Sequence, residues 1–237
     1  AFIAGIPVRV GYSHRKRDFL MTKLVAPPSI KEHRIQSYIR VAEAIGAKSS
    51  GTGISLQLDA LSDEGYKLLA QRHQLSAGEY TVFHPGANWD LKRWPAACYA
   101  ELAHSLVRNG KQIVFCGSDR DRDLAEEIIR IAGIRAVNVC GETSLEDLMQ
   151  LIGNASLLVS NDSGPLHLAA GLDVPFIGIY GPTSPDATSP PESARSKLFH
   201  NRIGCEIPCY FNTCPDRECL RSVLPSEVTS AALELAR

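Results

Sequence analysis

The stretch SLLVSNDSGPLHLAAGLDVPFIGIY, residues 156–180, decides the fold that the sequence predicts. It contains two short apolar runs, 156–160 and 175–180, and a helix-like segment, 163–171, between them. Apolar runs without polar alternation are typical of strands that are covered on both faces. A strand, a helix and a second strand in this order predict a βαβ unit with parallel strands.

The same alternation extends upstream to residue 81. We predict further strands and helices at 81–84, 95–107, 112–116, 121–132 and 136–140. Thr143 and Glu146 have the spacing of a capping box, which predicts a helix from there to about Gly153. Residues 81 to about 200 are therefore expected to form one doubly wound α/β domain, with a parallel sheet between helical layers.

The segments on either side do not follow this repeat. Before residue 61, a strand-like run at 8–11, a helix at 34–45 and the segment Gly51-Thr-Gly53 are typical of the end of another domain. We predict a connecting helix at 61–75 and an amphipathic helix at 226–237. The chain starts at Ala1 without an initiator Met, so we expect an N-terminal piece to be missing. The predicted domains are residues 1–60 and 61–237.

Composition excludes several classes of protein. The chain has 237 residues, of which 44% are hydrophobic and 22% are charged, so disorder is excluded. Its 25 basic and 26 acidic residues nearly balance, so the chain has no overall positive charge of the kind that binds a nucleic acid. The uncharged stretches are too short and too polar for a transmembrane helix, and the N-terminus lacks the pattern of a secretory signal.

Seven cysteines are present. Cys98, Cys116 and Cys140 lie in apolar runs, which predicts buried thiols. Four others cluster near the C-terminus with the spacing C-x3-C-x4-C-x4-C, at Cys205, Cys209, Cys214 and Cys219. This spacing lacks the C-x2-C pairs of common zinc sites, so reduced thiols, disulfides and a metal site all remain open.

Polar segments follow three of the predicted strands, and ligands of open parallel sheets bind at these carboxyl ends. After the first strand, Gly86 would permit a close backbone approach, Asn88 offers hydrogen bonds, and Lys92 and Arg93 supply positive charge. After the second strand, Asp121 has the position of a ribose-binding acid. The alternatives are an ordinary loop before a helix and a helix start capped by Asp119.

The largest group of candidate site residues follows the fourth predicted strand. Asp162, Ser163, Gly164 and His167 stand at the start of a helix, where free N–H groups favour an anion. A buried structural histidine is the competing interpretation of His167. Ser163 lacks the G-x-S-x-G context of esterases, Gly51-Thr-Gly53 does not continue into a dinucleotide fingerprint, and no P-loop is present. The pattern favours an anionic, nucleotide-like ligand and no redox cofactor.

Taken together, three ordered motifs resemble the lipopolysaccharide heptosyltransferases of glycosyltransferase family 9, type II above all. They are PGAN with KRWP (85–95), NDSGPLH (161–167) and YGPT (180–183), and the terminal cysteine pattern is also similar. The resemblance implies a GT-B fold of two Rossmann-like domains, of which the first is present here as a remnant. It also implies inverting transfer of heptose from ADP-L-glycero-D-manno-heptose to the inner core of lipopolysaccharide, with no metal or other cofactor.

The resemblance also implies roles for single residues. Asn88 and Lys92 would meet the donor diphosphate, with Lys92 as the catalytic group that stabilises the leaving ADP. Asp121 would bind ribose, Thr143 would lie beside adenine, and the cluster 162–167 would line the diphosphate and sugar. The family's general base has no counterpart here, so we expect the chain to bind ADP without turnover. The implied location is cytoplasmic, peripheral to the inner membrane, with a lipid A-core acceptor.

Three other functions remain open: a family 9 enzyme for another nucleotide sugar, a nucleotide-binding module without activity, and a sugar-nucleotide epimerase. The basic run His14-Arg-Lys-Arg17 has two interpretations. It would attract acceptor phosphates or an anionic membrane, or it is a solvated loop.

Overall fold

A computed structural model describes residues 1–29, 32–49, 51, 53–191, 193, 195–209 and 213–236. The chain forms two compact units, Ala1–Gly53 with Asp186–Thr188, and Ile54–Pro185 with Ser189–Arg237. The units therefore divide at residues 53–54, and the domain boundary expected at 60–61 remains a proposal. Thr52, Tyr210 and Arg237, which belong to segments interpreted above, lie outside the described residues.

The first unit contains two short parallel strands, β1 (Val10–Tyr12) and β2 (Lys23–Val25), and the helix α1 (Arg34–Glu43). The Tyr12 hydroxyl donates a hydrogen bond to the carbonyl of Ser37 on α1. Arg40 of the same helix forms an ion pair of 2.7 Å with Glu32. These contacts join the helix to the strand pair and to the segment before it.

The second unit alternates strands and helices. Its strands are β3 (Tyr80–His84), β4 (Gln112–Phe115), β5 (Val137–Asn138), β6 (Leu157–Asn161), β7 (Phe176–Tyr180) and β8 (Ser196–His200). The longer helices are α2 (Glu64–His73), α3 (Ala96–Arg108), α4 (Arg122–Ala132), α5 (Leu145–Gly153), α6 (Gly164–Gly171) and α9 (Pro225–Leu235). Two short helices, α7 (Pro185–Thr188) and α8 (Glu218–Arg221), lie between α6 and α9. The last three residues of α7 belong to the first unit.

The six strands form one sheet in the order β5-β4-β3-β6-β7-β8, and all five neighbouring pairs are parallel. The chain starts in the middle of the sheet, runs outward through β4 and β5, and then returns to the middle at β6. The connections therefore leave in opposite directions from β3 and β6. Such a switch point opens a crevice at the carboxyl ends of the two strands.

The sheet is covered on both faces, as the apolar strands predict. One core joins alternate strand residues, among them Phe83, Phe115 and Ile177, to α3, α4 and α9. The other core joins the remaining strand positions, including Val82 and Phe176, to α2, α5 and α6. Because side chains alternate between the two faces of a strand, every strand except the two-residue β5 contributes to both cores.

Several local predictions need correction. The capping box is formed by Ser144 and Asp147, one position later than Thr143 and Glu146, and α5 begins at Leu145. Ser118, and not Asp119, caps the turn before α4. β5 covers two of the five predicted residues, and β8 was not predicted. Within the described ranges no helix is long enough to span a bilayer, since the longest, α3, has 13 residues.

Candidate nucleotide-binding site

A cavity of about 900 Å³ lies at the switch point between β3 and β6. This volume is within the range of small-molecule sites. The side chains around it come from the segments after β3, β4 and β6, as the sequence predicts. They are His84, Ala87, Asn88, Trp89, Asp90, Lys92, Arg93, Ser118, Arg120, Asp121, Asp162, Ser163, Gly164, Pro165 and His167.

An ion pair joins two of these segments. Lys92 Nζ lies 2.7 Å from Asp162 Oδ2, and the Asp162 side chain is 7% exposed. Thr183, after β7, donates a hydrogen bond of 2.6 Å to the same oxygen. Oδ1 of Asp162 makes no hydrogen bond within the described part of the chain, so it remains able to accept one from a bound hydroxyl.

Asn161, at the end of β6, holds the loop that carries Lys92. Its Oδ1 accepts hydrogen bonds from the Trp94 backbone N–H at 3.1 Å and from the Tyr99 hydroxyl at 3.2 Å. Its Nδ2 donates to the carbonyls of Pro85 and Gly86 at 2.7 and 3.3 Å. Buried backbone groups of this loop are thus paired by one amide, which fixes the loop against the sheet.

Asp121 is buried at the second strand end. Its Oδ2 accepts hydrogen bonds from the backbone N–H and hydroxyl of Ser118, at 2.9 and 2.7 Å. Arg93 Nη2 lies 3.7 Å from Oδ1 and forms a closer pair with Asp90, whose Oδ1 is 3.0 Å from Nη1. A Cβ at Gly86 would overlap the Asp121 carboxyl, so this glycine makes room for a protein side chain.

The first turn of α6 offers few backbone donors. Pro165 has no N–H, and the N–H of Leu166 lies 3.2 Å from the carbonyl of Ser163. Ser163 is the N-cap residue, but its hydroxyl makes no capping hydrogen bond. A helix start without a side-chain cap is open to an anion.

The Ser163 hydroxyl instead points to a small buried group of polar atoms. Ser163 Oγ lies 3.1 Å from His84 Nδ1, 2.9 Å from Ser160 Oγ and 3.1 Å from the carbonyl oxygen of Asn161. Burial lowers the pKa of His84 to about 4, and the opposing effect of nearby Asp121 is smaller. His84 is therefore neutral near pH 7.

Seven of the nine residues predicted for the site line this cavity. They are Asn88, Lys92, Asp121, Asp162, Ser163, Gly164 and His167. Gly86 and Thr143 do not line it. The Asp121 carboxyl fills the space beside Gly86, and Thr143 immediately precedes Ser144, the N-cap of α5.

Sequence reasoning did not assign His84, Ser118 or Arg120 to the site. His84 closes an apolar strand, and nothing in the sequence distinguishes it from a core residue. Ser118 and Arg120 follow the second strand beside Asp121, so their position at a carboxyl strand end was an available signal.

The cysteines are free thiols. Cys116 and Cys140 are buried as predicted, and Cys98 is partly buried. Burial raises the pKa of Cys140 to about 12. In the described ranges no three His, Cys, Asp or Glu side chains are arranged to hold a metal ion.

The basic run of the first unit is exposed. His14, Arg15, Lys16 and Arg17 follow β1, and the loop is held by Asp18, which accepts hydrogen bonds from the His14 N–H and the Ser13 hydroxyl at 2.6 and 2.8 Å. These two hydrogen bonds lower the pKa of Asp18. The run is therefore a fixed loop with its cationic side chains in solvent.

Comparison with known proteins identifies relatives of this chain. The chain is 41% identical over 201 residues to lipooligosaccharide heptosyltransferase 2 of Haemophilus influenzae, covering 80% of this chain and 58% of that protein. It is 34% identical over 209 residues to lipopolysaccharide heptosyltransferase 2 of Salmonella typhimurium, covering 84% and 60%. The chain thus spans less than two thirds of the length of either relative.

Among solved structures, ADP-heptose LPS heptosyltransferase II of Escherichia coli superposes with a TM-score of 0.77 at 29% identity. The superposition covers 98% of this chain and 71% of the E. coli chain. With the sheet order, this confirms the expected α/β fold class of the GT-B heptosyltransferases. The model of glycosyltransferase family 9 (heptosyltransferase) matches residues 1–218, so the chain belongs to glycosyltransferase family 9.

Proposed function

We propose that this chain supplies the donor site of an inverting glycosyltransferase. The protein would move heptose from ADP-L-glycero-D-manno-heptose to the inner core of lipopolysaccharide. One observation carries the proposal: the cavity at the β3–β6 switch point joins a lysine, an uncapped helix start and buried carboxylates in a family 9 chain. The names of the relatives and of the E. coli structure supply the sugar and the nucleotide.

The lining residues divide between the parts of an ADP-sugar. Lys92, Asn88 and the N–H of Gly164 would hold the diphosphate, with no metal required. Asp121 would bind the ribose hydroxyls. The adenine would extend toward Thr143, which lies outside the cavity lining, and backbone groups would contact it there.

The sugar would lie beside Asp162 and His167. Asp162 has one carboxylate oxygen committed to Lys92 and Thr183 and the other available for a sugar hydroxyl. His167 lies one helical turn after Ser163 on the same face of α6.

In the transfer, an acceptor hydroxyl oxygen forms a bond to the anomeric carbon while the bond from that carbon to the ADP oxygen breaks. The electron pair of the broken bond leaves with ADP, and the acceptor proton passes to a general base. Lys92 would stabilise the charge that develops on the leaving diphosphate. Displacement from the opposite face inverts the anomeric centre.

The general base lies outside the donor cavity on this proposal. Asp162 is paired with Lys92 and Thr183, and Asp121 is held by the N–H and hydroxyl of Ser118. Each carboxylate thus has one oxygen committed to protein donors, and we assign both groups to the donor and not to the acceptor proton. We therefore expect the 237-residue chain to bind ADP and to show no turnover.

A lipid A-core acceptor implies a cytoplasmic protein that works at the surface of the inner membrane. The exposed run 14–17 has the charge to bind acceptor phosphates or anionic lipid headgroups. Neutralising Arg15, Lys16 and Arg17 in a transfer-competent form should raise the acceptor KM, and an unchanged KM would remove this role.

The proposal is tested by calorimetric titration of the chain with ADP, ADP-heptose, and UDP- and GDP-sugars. Adenine nucleotides should bind at least tenfold more tightly than the others, and ADP-heptose should compete with ADP. Tighter binding of a UDP- or GDP-sugar would instead favour a family 9 transferase for another donor. Heptose transfer by this chain would show that the general base is present within it.

A further inference from the structure

The turn after β7 carries a hydroxyl to which the proposed reaction gives no role of its own. Thr183 lies outside the cavity lining, and its Oγ1 donates a hydrogen bond of 2.6 Å to Asp162 Oδ2. Lys92 Nζ lies 2.7 Å from the same oxygen. We propose that Thr183 is a positioning residue, which stabilises the Asp162 carboxylate and so allows Lys92 to bind the donor diphosphate. This inference rests on the proposed function.

The backbone that leads to Thr183 is held by other parts of the same unit. Gly181, the first residue after β7, packs against α8, and a Cβ on this glycine would lie 2.6 Å from Leu220 Cγ. The carbonyl of Pro182 accepts a hydrogen bond of 2.7 Å from the Cys209 N–H. The turn therefore presents the Thr183 hydroxyl from a fixed backbone.

The carboxylate that receives this hydrogen bond is also fixed, and it has few partners. The backbone N–H of Asp162 donates to the Ile179 carbonyl at 3.1 Å, and the Asp162 side chain is 7% exposed. Tyr180 begins the turn that carries Thr183, and its buried hydroxyl makes no hydrogen bond in the described part of the chain. Among the described residues, the donors to the Asp162 carboxylate are therefore Lys92 and Thr183.

Two donors on one oxygen divide the work of stabilising a buried charge. A buried carboxylate without a partner is costly, so Asp162 with Lys92 as its sole donor would hold the ammonium group tightly. The diphosphate would then have to compete for the lysine. The Thr183 hydroxyl compensates part of the carboxylate charge, so the ammonium group can turn one or more of its three N–H donors to the diphosphate at lower cost.

This role makes the effect of Thr183 conditional on two other side chains. The hydroxyl is uncharged and acts on the ligand through Asp162 and Lys92. If either the carboxylate charge or the ammonium group is removed, the hydroxyl has nothing to transmit. A threonine that merely maintained the shape of the turn would matter whatever residues stood at positions 92 and 162.

The test compares variants of the full chain by calorimetric titration with ADP and with inorganic pyrophosphate. Thr183→Val removes the hydroxyl with little change of shape, and it should weaken both ligands about fivefold to tenfold, because the lost hydrogen bond is to a charged group. Thr183→Ser keeps the donor and should bind within about twofold of wild type. Thr229→Val on α9, which loses a hydrogen bond to the Pro225 carbonyl, is the matched control and should not change affinity.

Double variants separate positioning from packing of the turn. In an Asp162→Asn background no buried charge holds the lysine, so adding Thr183→Val should change ADP affinity by less than about twofold. The same should hold in a Lys92→Met background, where the cation is absent. A loss of about fivefold or more from Thr183→Val in either background would overturn the proposal. Equal weakening by Thr183→Ser and Thr183→Val would also overturn it.

The outcomes for this inference and for the proposed function are distinguishable. If wild type binds ADP and Thr183→Val binds it equally well, the function stands and the role of Thr183 fails. If wild type binds pyrophosphate but not ADP, the nucleotide function fails and the pyrophosphate series decides the role of Thr183. If wild type binds neither ligand, both proposals fail.

A crystal structure of the wild-type complex with ADP decides if Thr183→Val does not fold. Lys92 Nζ should lie within hydrogen-bond distance of a diphosphate oxygen, while Thr183 Oγ1 remains on Asp162 Oδ2. A Thr183 hydroxyl that has left Asp162, or a lysine that contacts the carboxylate and not the diphosphate, would contradict the role.

Discussion

At the scale of single residues, Lys92 is expected to interact with two anionic groups, the Asp162 carboxylate and the donor diphosphate. In the free protein its ammonium group is paired with the buried carboxylate of Asp162. In the proposed complex it also faces a diphosphate whose charge grows as ADP leaves. A lysine suits both, because its ammonium group offers three donors on a flexible stem.

Replacing Lys92 with Met should therefore affect stability and binding through different partners. Loss of the pair leaves Asp162 with Thr183 alone and should lower the free energy of unfolding by about 1–3 kcal/mol. Loss of the cation should weaken ADP by roughly tenfold to a hundredfold, as expected for a charged hydrogen bond. Urea denaturation and calorimetric titration measure the two effects.

The double variant Lys92→Met/Asp162→Asn separates them. It removes the unpaired charge, so stability should recover while ADP binding stays weak. Lys67→Met on the exposed face of α2 serves as the control. Recovery of ADP affinity in the double variant would show that Lys92 acts on Asp162 and not on the ligand.

His84 also predicts how stability depends on pH. Its pKa is lowered from 6.5 to about 4 in the folded chain. Between these values the unfolded chain binds a proton that the folded chain does not, so stability falls as the pH falls through this window. At about 1.4 kcal/mol per pH unit the loss is roughly 3 kcal/mol by pH 4.

Urea denaturation of wild type and His84→Asn at pH 7, 5.5 and 4 checks this prediction. The variant lacks the titrating group, so between pH 7 and pH 4 its free energy of unfolding should fall by about 3 kcal/mol less than that of wild type. Parallel profiles for the two proteins would show that His84 titrates normally.

At the scale of elements, the start of α5 is set by one residue of register. Ser144 Oγ accepts from the Asp147 N–H, and Asp147 accepts from both the N–H and the hydroxyl of Ser144. Ser144→Ala should lower the free energy of unfolding by about 1 kcal/mol, typical of an N-cap. Thr143→Ala removes no capping contact and should have less effect in the same denaturation experiment. A larger loss of stability in Thr143→Ala than in Ser144→Ala would instead support a capping box formed by Thr143 and Glu146.

The sequence predicted most elements because burial on both faces leaves a strong pattern. β3, β4, β6 and β7 fall within one residue of their predicted ends. β8 was missed because it is an edge strand with an exposed lysine, Lys197, at its second position. The capping box was misplaced because Thr143–Glu146 and Ser144–Asp147 both fit the pattern, and only the backbone angles distinguish them.

The site was partly predictable for a related reason. Parallel strands bring their carboxyl ends to one edge, so residues far apart in the chain, such as Lys92 and Asp162, were expected to converge. Contacts behind the cavity carry no such signal. The sequence does not show that Gly86 makes room for Asp121, or that His84 contacts Ser163.

At the scale of the whole molecule, the cavity at the β3–β6 switch point lies within one of the two compact units. Both hydrophobic cores, the complete six-stranded sheet and every residue that lines the cavity belong to residues 54–237. The burial that stabilises the unit and the groups that form the proposed ADP site are thus in the same segment. The first unit contributes to neither.

A fragment of residues 54–237 should therefore fold cooperatively and bind ADP within about twofold of the full chain. Its unfolding is followed by circular dichroism, and its affinity by calorimetric titration beside the 237-residue chain. The Lys92→Met change should weaken ADP by the same factor in both, because the lysine has the same partners in each. A folded fragment that does not bind ADP, while the full chain does, would place part of the nucleotide site in residues 1–53.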